Sequence, residues 1–292
     1  MNIIIEPFTY DFMHRAFLVC LFVGFANGML GTFVVLQRMA LVADALSHSL
    51  LPGLAIALVF VGFSPLALII GGFLAMLFVA FGGHLITRSS RIKHETAIAA
   101  LYIFALALGI VLLKFSNSRV SLEHFLFGNI LAVGAGELWI CFTALAVTLV
   151  CLVVFQRPVL LAIFDATLAR TQGIPVGIVL GGLVFLIVLA MVASLQAVGV
   201  LLSLGLLVLP AATIYLLTDR YELIPWLSGT WGAVGACVGL LVSFWFSIPS
   251  GPAIVLVLGV AFLLAYVFSP RYGIFKIKRR HIHYEPLRRW QR

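Results

Sequence analysis

Nine long apolar runs, almost free of charge, decide what this chain can be. They lie at about 15–36, 42–63, 65–87, 96–114, 130–156, 176–195, 198–217, 225–248 and 253–269. A helix needs roughly 20 mostly apolar residues to cross a bilayer, and most of the runs approach or exceed that length. In hydrocarbon every backbone N–H and C=O must be bonded within the protein, which leaves helices or closed barrels. Barrel strands alternate apolar and polar residues, whereas these runs are continuous. The expected fold is therefore all-α and polytopic, with about nine transmembrane helices. Composition agrees: 63% of the 292 residues are hydrophobic and 10% are charged.

The cations orient the spans. Arg38 falls between spans 1 and 2; Arg88, Arg91 and Lys93 between 3 and 4; Arg157 and Arg170 between 5 and 6; Arg220 between 7 and 8. The tail after span 9 carries eight more, so fifteen cations share one side and only Arg15, Lys114 and Arg119 take the other. By the positive-inside rule the richer side is cytoplasmic. This puts the N-terminus outside and the C-terminus inside. The net charge of +8 then expresses topology, not nucleic-acid binding. We expect one membrane domain over 1–270 and a basic cytoplasmic tail over 271–292 that rests on anionic lipid headgroups. Residues 1–14 include Glu6 and Asp11 and have no basic n-region, so span 1 does not read as a cleaved signal peptide. Cys20, Cys141, Cys151 and Cys237 lie in apolar runs without CxxC spacing; they read as packing residues.

Span 2 opens with Asp44-Ala-Leu-Ser-His48. Ionisable groups at membrane depth are costly and mark ion, proton or substrate paths. At i and i+4 the two residues share a helix face. A carboxylate and an imidazole suit a first-row divalent metal, although an Asp–His contact that merely orders span 2 uses the same residues. Simple counting puts both in the first turns of the span, nearer the cytoplasmic end. A central site would need the span to begin deeper, with 37–43 re-entrant or covered by protein.

Enzymatic motifs are missing. There is no GxxxxGK[ST], so the chain has no P-loop for a nucleotide. His94-Glu95-Thr-Ala-Ile98 begins like a zinc-protease helix but lacks its second histidine, and no GxSxG occurs. A transporter subunit that draws energy from elsewhere fits better than an enzyme. The coupling loop is expected at about 157–175, where Asp165 suits a helix N-cap, Arg170 falls late in the short helix and Gly173 suits its stop. Such a helix fits docking to a soluble motor and equally a plain interfacial loop. Gly24-x-x-x-Gly28 and Gly235-x-x-x-Gly239 allow close backbone approach; packing within one chain is preferred to a dimer seam.

Several stretches together carry a family resemblance: Gly31-Thr-Phe-Val-Val-Leu-Gln-Arg38-Met, Asp44 through His48 to Pro52-Gly53, Phe127-Gly128-Asn-Ile-Leu131, Phe164-Asp165 through Ala169-Arg170 and Gly173, and Ser194 through Gly199 to Leu209-Pro210-Ala211-Ala212-Thr213. The chain resembles the permeases of metal-specific ABC importers, the ABC-3 family of manganese, zinc and iron systems. The resemblance implies a fold like that of the large type II importers such as the vitamin B12 permease. It implies an ATP-driven importer of divalent manganese, zinc or iron in the cell (plasma or inner) membrane of a prokaryote. The partners implied are a second permease protomer, identical or related, cytoplasmic ATP-binding subunits and an extracytoplasmic metal-binding protein. The metal is cargo, not a resident cofactor. Asp44 and His48 match the family's metal pair, facing the same pair of the other protomer across the path. Phe164, Asp165, Ala169, Arg170 and Gly173 match its ATPase-coupling segment, though Ala166-Thr167 stand where Pro-Glu is frequent. Pro210 is expected to break or kink span 7 near the pathway. The competing reading is a secondary transporter of divalent metal driven by an ion gradient.

Other polar residues attract less weight. His84 reads as interfacial. Glu95 suits the positive end of its helix. Glu123, His124 and Glu137 fall on the outer side, where a delivering protein would dock. His281 and His283 belong to the solvated tail, and Asn27 and Gln196 read as helix–helix hydrogen-bonding groups.

Overall fold

The computed structural model describes residues 9–62, 64–115, 128 and 130–269. Glu123, His124 and the basic tail with His281 and His283 lie outside the described residues. No strand occurs among the described residues. The helices are α1 (Asp11–Leu36), α2 (Ala40–His48), α3 (Leu50–Phe60), α4 (Pro65–Ser89), α5 (His94–Phe115), α6 (Ala135–Phe164), α7 (Ala166–Thr171), α8 (Val176–Val198), α9 (Val200–Leu217), α10 (Ile224–Phe246) and α11 (Ser250–Phe268).

Helix α1 is the central strut. It packs against α10, α9, α6 and α8, while α3, α4 and α5 form a second group. Lipid tails are as apolar as leucine, so helix association in a membrane relies on close van der Waals packing at small residues. The chain supplies them. A Cβ on Gly24 would stand 2.7 Å from the Gly232 carbonyl oxygen, and one on Gly28 would overlap that of Ser228. This register, 24 on 232 and 28 on 228, makes α1 and α10 antiparallel. Gly235 and Gly239 meet Leu258 and Ile254 of α11 in the same way. Both GxxxG motifs thus pack within the chain.

Among the described residues eight apolar stretches are long enough to cross a membrane, and one of them, Val176–Leu217, has 42 residues. A straight helix of that length would extend about 63 Å, roughly twice the hydrocarbon thickness. The chain avoids this by turning at Gly199, whose φ of 81° and ψ of 170° suit glycine. The Ser194 and Ser203 hydroxyls consequently lie 2.5 Å apart, although nine residues of straight helix would separate them by about 13.5 Å. Asn27 ties the turn to α1 by donating to Ser194 Oγ at 3.2 Å and to the Ser203 carbonyl at 3.3 Å. Spans 6 and 7 are therefore two arms of one bent stretch. Gln196 instead helps line a small cavity beside α3 and α4.

Two boundaries differ from expectation. Helix α6 runs on through Pro158 to Phe164, past the predicted end near 156, because Val159, Leu160 and Ala162 are buried and this packing carries the helix across one missing N–H. The irregular part of the 157–175 segment therefore begins at Asp165. Helix α9 also continues through Pro210, which packs against Gly232. The break in this stretch lies at Gly199, where the backbone conformation demands it.

The cationic turns gather at one end. Gln37, Thr87, His94 and Gly177 border one cavity, and Arg157 and Phe164 share another with Arg220 and Tyr221. Gln156 links the latter two regions, donating to the Glu222 carbonyl and accepting from Trp226 Nε1 at 3.0 Å. Ser269 donates to the Leu216 carbonyl at the same end. At the other end the Tyr10 ring meets Phe244.

Candidate functional site

Asp44 and His48 sit on α2, a helix of nine residues delimited on both sides by its own sequence. Before it, Arg38 has a φ of 59° and ends the continuation of α1. After it comes Ser49. Proline has no amide hydrogen, so Pro52 cannot bond the His48 carbonyl four residues back. The helix loosens there: the Ser49 amide is shared between the Ala45 and Leu46 carbonyls, and its hydroxyl donates to Leu46 at 2.7 Å.

The two faces of α2 differ. Val42, Ala43, Ala45, Leu46 and Ser47 are buried. Leu41, Asp44 and His48 form the opposite stripe, as their i, i+3, i+7 spacing requires. The His48 side chain is 33% exposed and that of Asp44 is 48% exposed, so both can meet a ligand or another chain. His48 Nε2 lies 3.7 Å from Asp44 Oδ1, beyond hydrogen-bond range. The Tyr102 ring of α5 stands 6.4 Å from the imidazole. Among the described residues no third His, Cys, Asp or Glu joins the pair.

The apolar helical stretch that carries the pair begins at Ala40, so Asp44 lies about 6 Å along the helix from its start. Protein covers the 37–43 segment on one side, where Val42 and Ala43 are buried and Met39 packs on the core. Arg38 and Leu41 remain outside this cover.

At the cationic end, Asp165 caps α7 as its type and position predict. Its Oδ1 accepts from the amides of Thr167 and Leu168 at 3.0 and 2.8 Å. Gly173 closes the element with a φ of 78°, its amide bonding Arg170 while that of Ile174 bonds Ala169. Ala169 is fully buried and packs with Ala162 and Val176. Phe164, Asp165 and Arg170 are exposed, and the Phe164 ring leans on Tyr221 at 4.7 Å. The segment is a small knob whose outer surface mixes polar residues with exposed Phe164 and Leu168.

Of the residues weighed more lightly, Glu137 accepts from the Gly134 amide at 2.9 Å, so it caps α6. His84 is exposed and its ring lies 6.1 Å from that of His94, a juxtaposition that spacing along the chain does not reveal.

Comparisons with known proteins agree on one kind of molecule. The family model described as "ABC 3 transport family" matches residues 9–269. The manganese transport system membrane protein MntC of Listeria monocytogenes is 35% identical over 94% of this chain and 96% of its own. A probable iron transport system membrane protein of Haemophilus influenzae is 33% identical over the same shares. Among solved structures, PsaBC from Streptococcus pneumoniae in complex with Fab matches with a TM-score of 0.83 at 33% identity, covering 95% of this chain and 99% of that one.

Proposed function

The chain belongs to the ABC 3 transport family, and from that membership we propose how its residues share the work of moving a metal ion. It is the membrane permease of a metal ABC importer. The ion-gradient alternative is not favoured by these relatives.

Asp44 and His48 form the metal station in this reading. The observation that carries it is the outward-facing stripe of α2: two metal-ligating side chains, partly exposed on the flank of an otherwise buried helix. One carboxylate and one imidazole under-coordinate a transition metal. Two protomers meeting along this stripe supply four ligands, a set that suits manganese, zinc or iron. Relatives named for manganese and for iron support those two metals. An extracytoplasmic metal-binding protein delivers the ion to the far end. The cationic end faces the cytoplasm, so the C-terminus is inside and the N-terminus outside. There the Phe164–Gly173 knob receives the separate ATP-binding subunits. In this division of labour 1–270 form the permease domain and 271–292 a cytoplasmic tail.

Reconstitution tests the whole reading. With its ATP-binding subunits in liposomes, the permease should accumulate manganese only when ATP is supplied. Uphill movement by the permease alone on a proton or sodium gradient would reject the assignment.

The knob yields a separate expectation. Asp165→Ala removes an N-cap worth about 0.5–2 kcal/mol from an exposed helix end, too little to unfold the bundle. ATP hydrolysis should then proceed with reduced metal transport per ATP. Gly173→Val should act in the same direction, since its positive φ disfavours a β-branched residue. Crosslinks from Thr167 or Arg170 that never reach an ATP-binding subunit would overturn the docking role.

A further inference from the structure

We propose that His84 and His94 form a second, weaker station for a divalent transition-metal ion, on the opposite side of α2 from Asp44 and His48. The two imidazoles border a cavity of about 360 Å³ at the cationic end, between the end of α1, α2, α4, α5 and α8. Val42, Ala43 and Leu46 form its α2 wall, which is the face turned away from the Asp44 stripe. Most of the lining is apolar; the polar side chains in it are Gln37, His84, Thr87 and His94.

Ring spacing brings the pair within reach of a shared ion. A metal–nitrogen bond of about 2.1 Å puts each ring centre roughly 3.2 Å from the metal. Two rings on one ion then have centres about 5.2 Å apart at a tetrahedral angle and about 6.4 Å apart when opposed. His84 and His94 stand at 6.1 Å, with their planes at 82°, so a rotation of the exposed His84 ring that closes the spacing by about 1 Å brings both onto one tetrahedral ion.

Thr87 prepares one ligand. Its hydroxyl donates to the Gly83 carbonyl at 2.8 Å, which commits its only proton. Towards His94 Nδ1, at 3.4 Å, that oxygen can only accept. The imidazole proton is therefore drawn to Nδ1, and the Nε2 lone pair is left free for a metal. Holding a ligand's tautomer through its other ring nitrogen is the usual support for a metal-binding histidine.

The site is built to hold a cation loosely. No third His, Cys, Asp or Glu joins the pair among the described residues, so water completes the shell. Arg88, Arg91 and Lys93 lie in and beside the turn joining α4 to α5 and oppose a cation, with Glu95 offsetting only part of their charge. The site stands on these residues and not on the reading of the chain as a metal permease.

Cobalt(II) binding to the full-length permease in nanodiscs tests the site, read by the ligand-field bands of nitrogen-bound cobalt. The Asp44→Asn/His48→Ala permease should retain a band that adding His84→Ala/His94→Ala removes. His84→Ala alone, at an exposed position, should weaken that binding about tenfold or more, and Thr87→Val about tenfold. Imidazoles of the tail are common to all these variants and cancel. Equal cobalt titrations with and without His84 and His94, in proteins that elute alike on gel filtration, would overturn the site. Failure of ATP-driven uptake with the cobalt band intact would reject the import reading and leave the site standing.

Discussion

Asp44→Asn and His48→Ala should each abolish metal uptake while leaving the permease folded and assembled. The contrast between the two outcomes gives the experiment its force. Neither side chain fills the core, since both are partly exposed, so truncation opens no cavity. Their mutual contact is weak: at 3.7 Å it lies beyond hydrogen-bond range, on a partly exposed helix face. A purely structural role would therefore show as a small stability change with uptake intact. A ligand role should show as the reverse, because a carboxamide is a poor ligand and alanine is none. Metal uptake with the ATP-binding subunits, the thermal midpoint in detergent and the protomer state by gel filtration give the three readings. Wild-type uptake in a well-folded His48→Ala permease would refute the metal station.

Gly31→Ala should be the most damaging small substitution in the bundle. A Cβ at this position would overlap the Leu207 carbonyl oxygen, with the Ala211 methyl 3.3 Å away. Both belong to α9. The obstacle is backbone, so no rotamer change relieves it and α1 must move away from α9. Overpacking typically costs about 1–3 kcal/mol; with a backbone atom in the way the upper part of that range is expected. Gly259→Ala is the matched control, as a Cβ there meets nothing within 4 Å. In detergent the thermal midpoint of Gly31→Ala should fall by several degrees, while that of Gly259→Ala should hold. Equal midpoints would mean that α1 and α9 do not approach as closely as described.

Much of this architecture was legible along the chain because membrane insertion acts on local properties. A run either holds enough apolar residues to cross or it does not, and cations near its ends choose a side. That sufficed for the helical fold, for the gathering of Arg38, Arg88, Arg157 and Arg220 at one end, and for the Asp165 cap, whose partners are two and three residues away. The Asp44–His48 stripe was equally visible, since i,i+4 spacing defines one helix face by itself.

Pro210 signals a break or kink locally, and α9 nevertheless runs through it without a break, as α6 does through Pro158. A boundary beside Gly199 was legible as the gap between the runs ending at 195 and beginning at 198; its sharp turn is held by Asn27, more than 160 residues earlier, bonded to both sides.

Fold class, likeness to metal permeases and the residue types at each candidate site can be read along the chain, because hydrophobic partition, capping and helix periodicity are short-range. Which face of α2 is covered, that Gly24 and Gly28 spend their missing side chains on α10, and that His84 meets His94 emerge only when the helices pack. Those contacts depend on backbones brought together across the bundle, where the space left by one chain segment is set by another far away in the sequence.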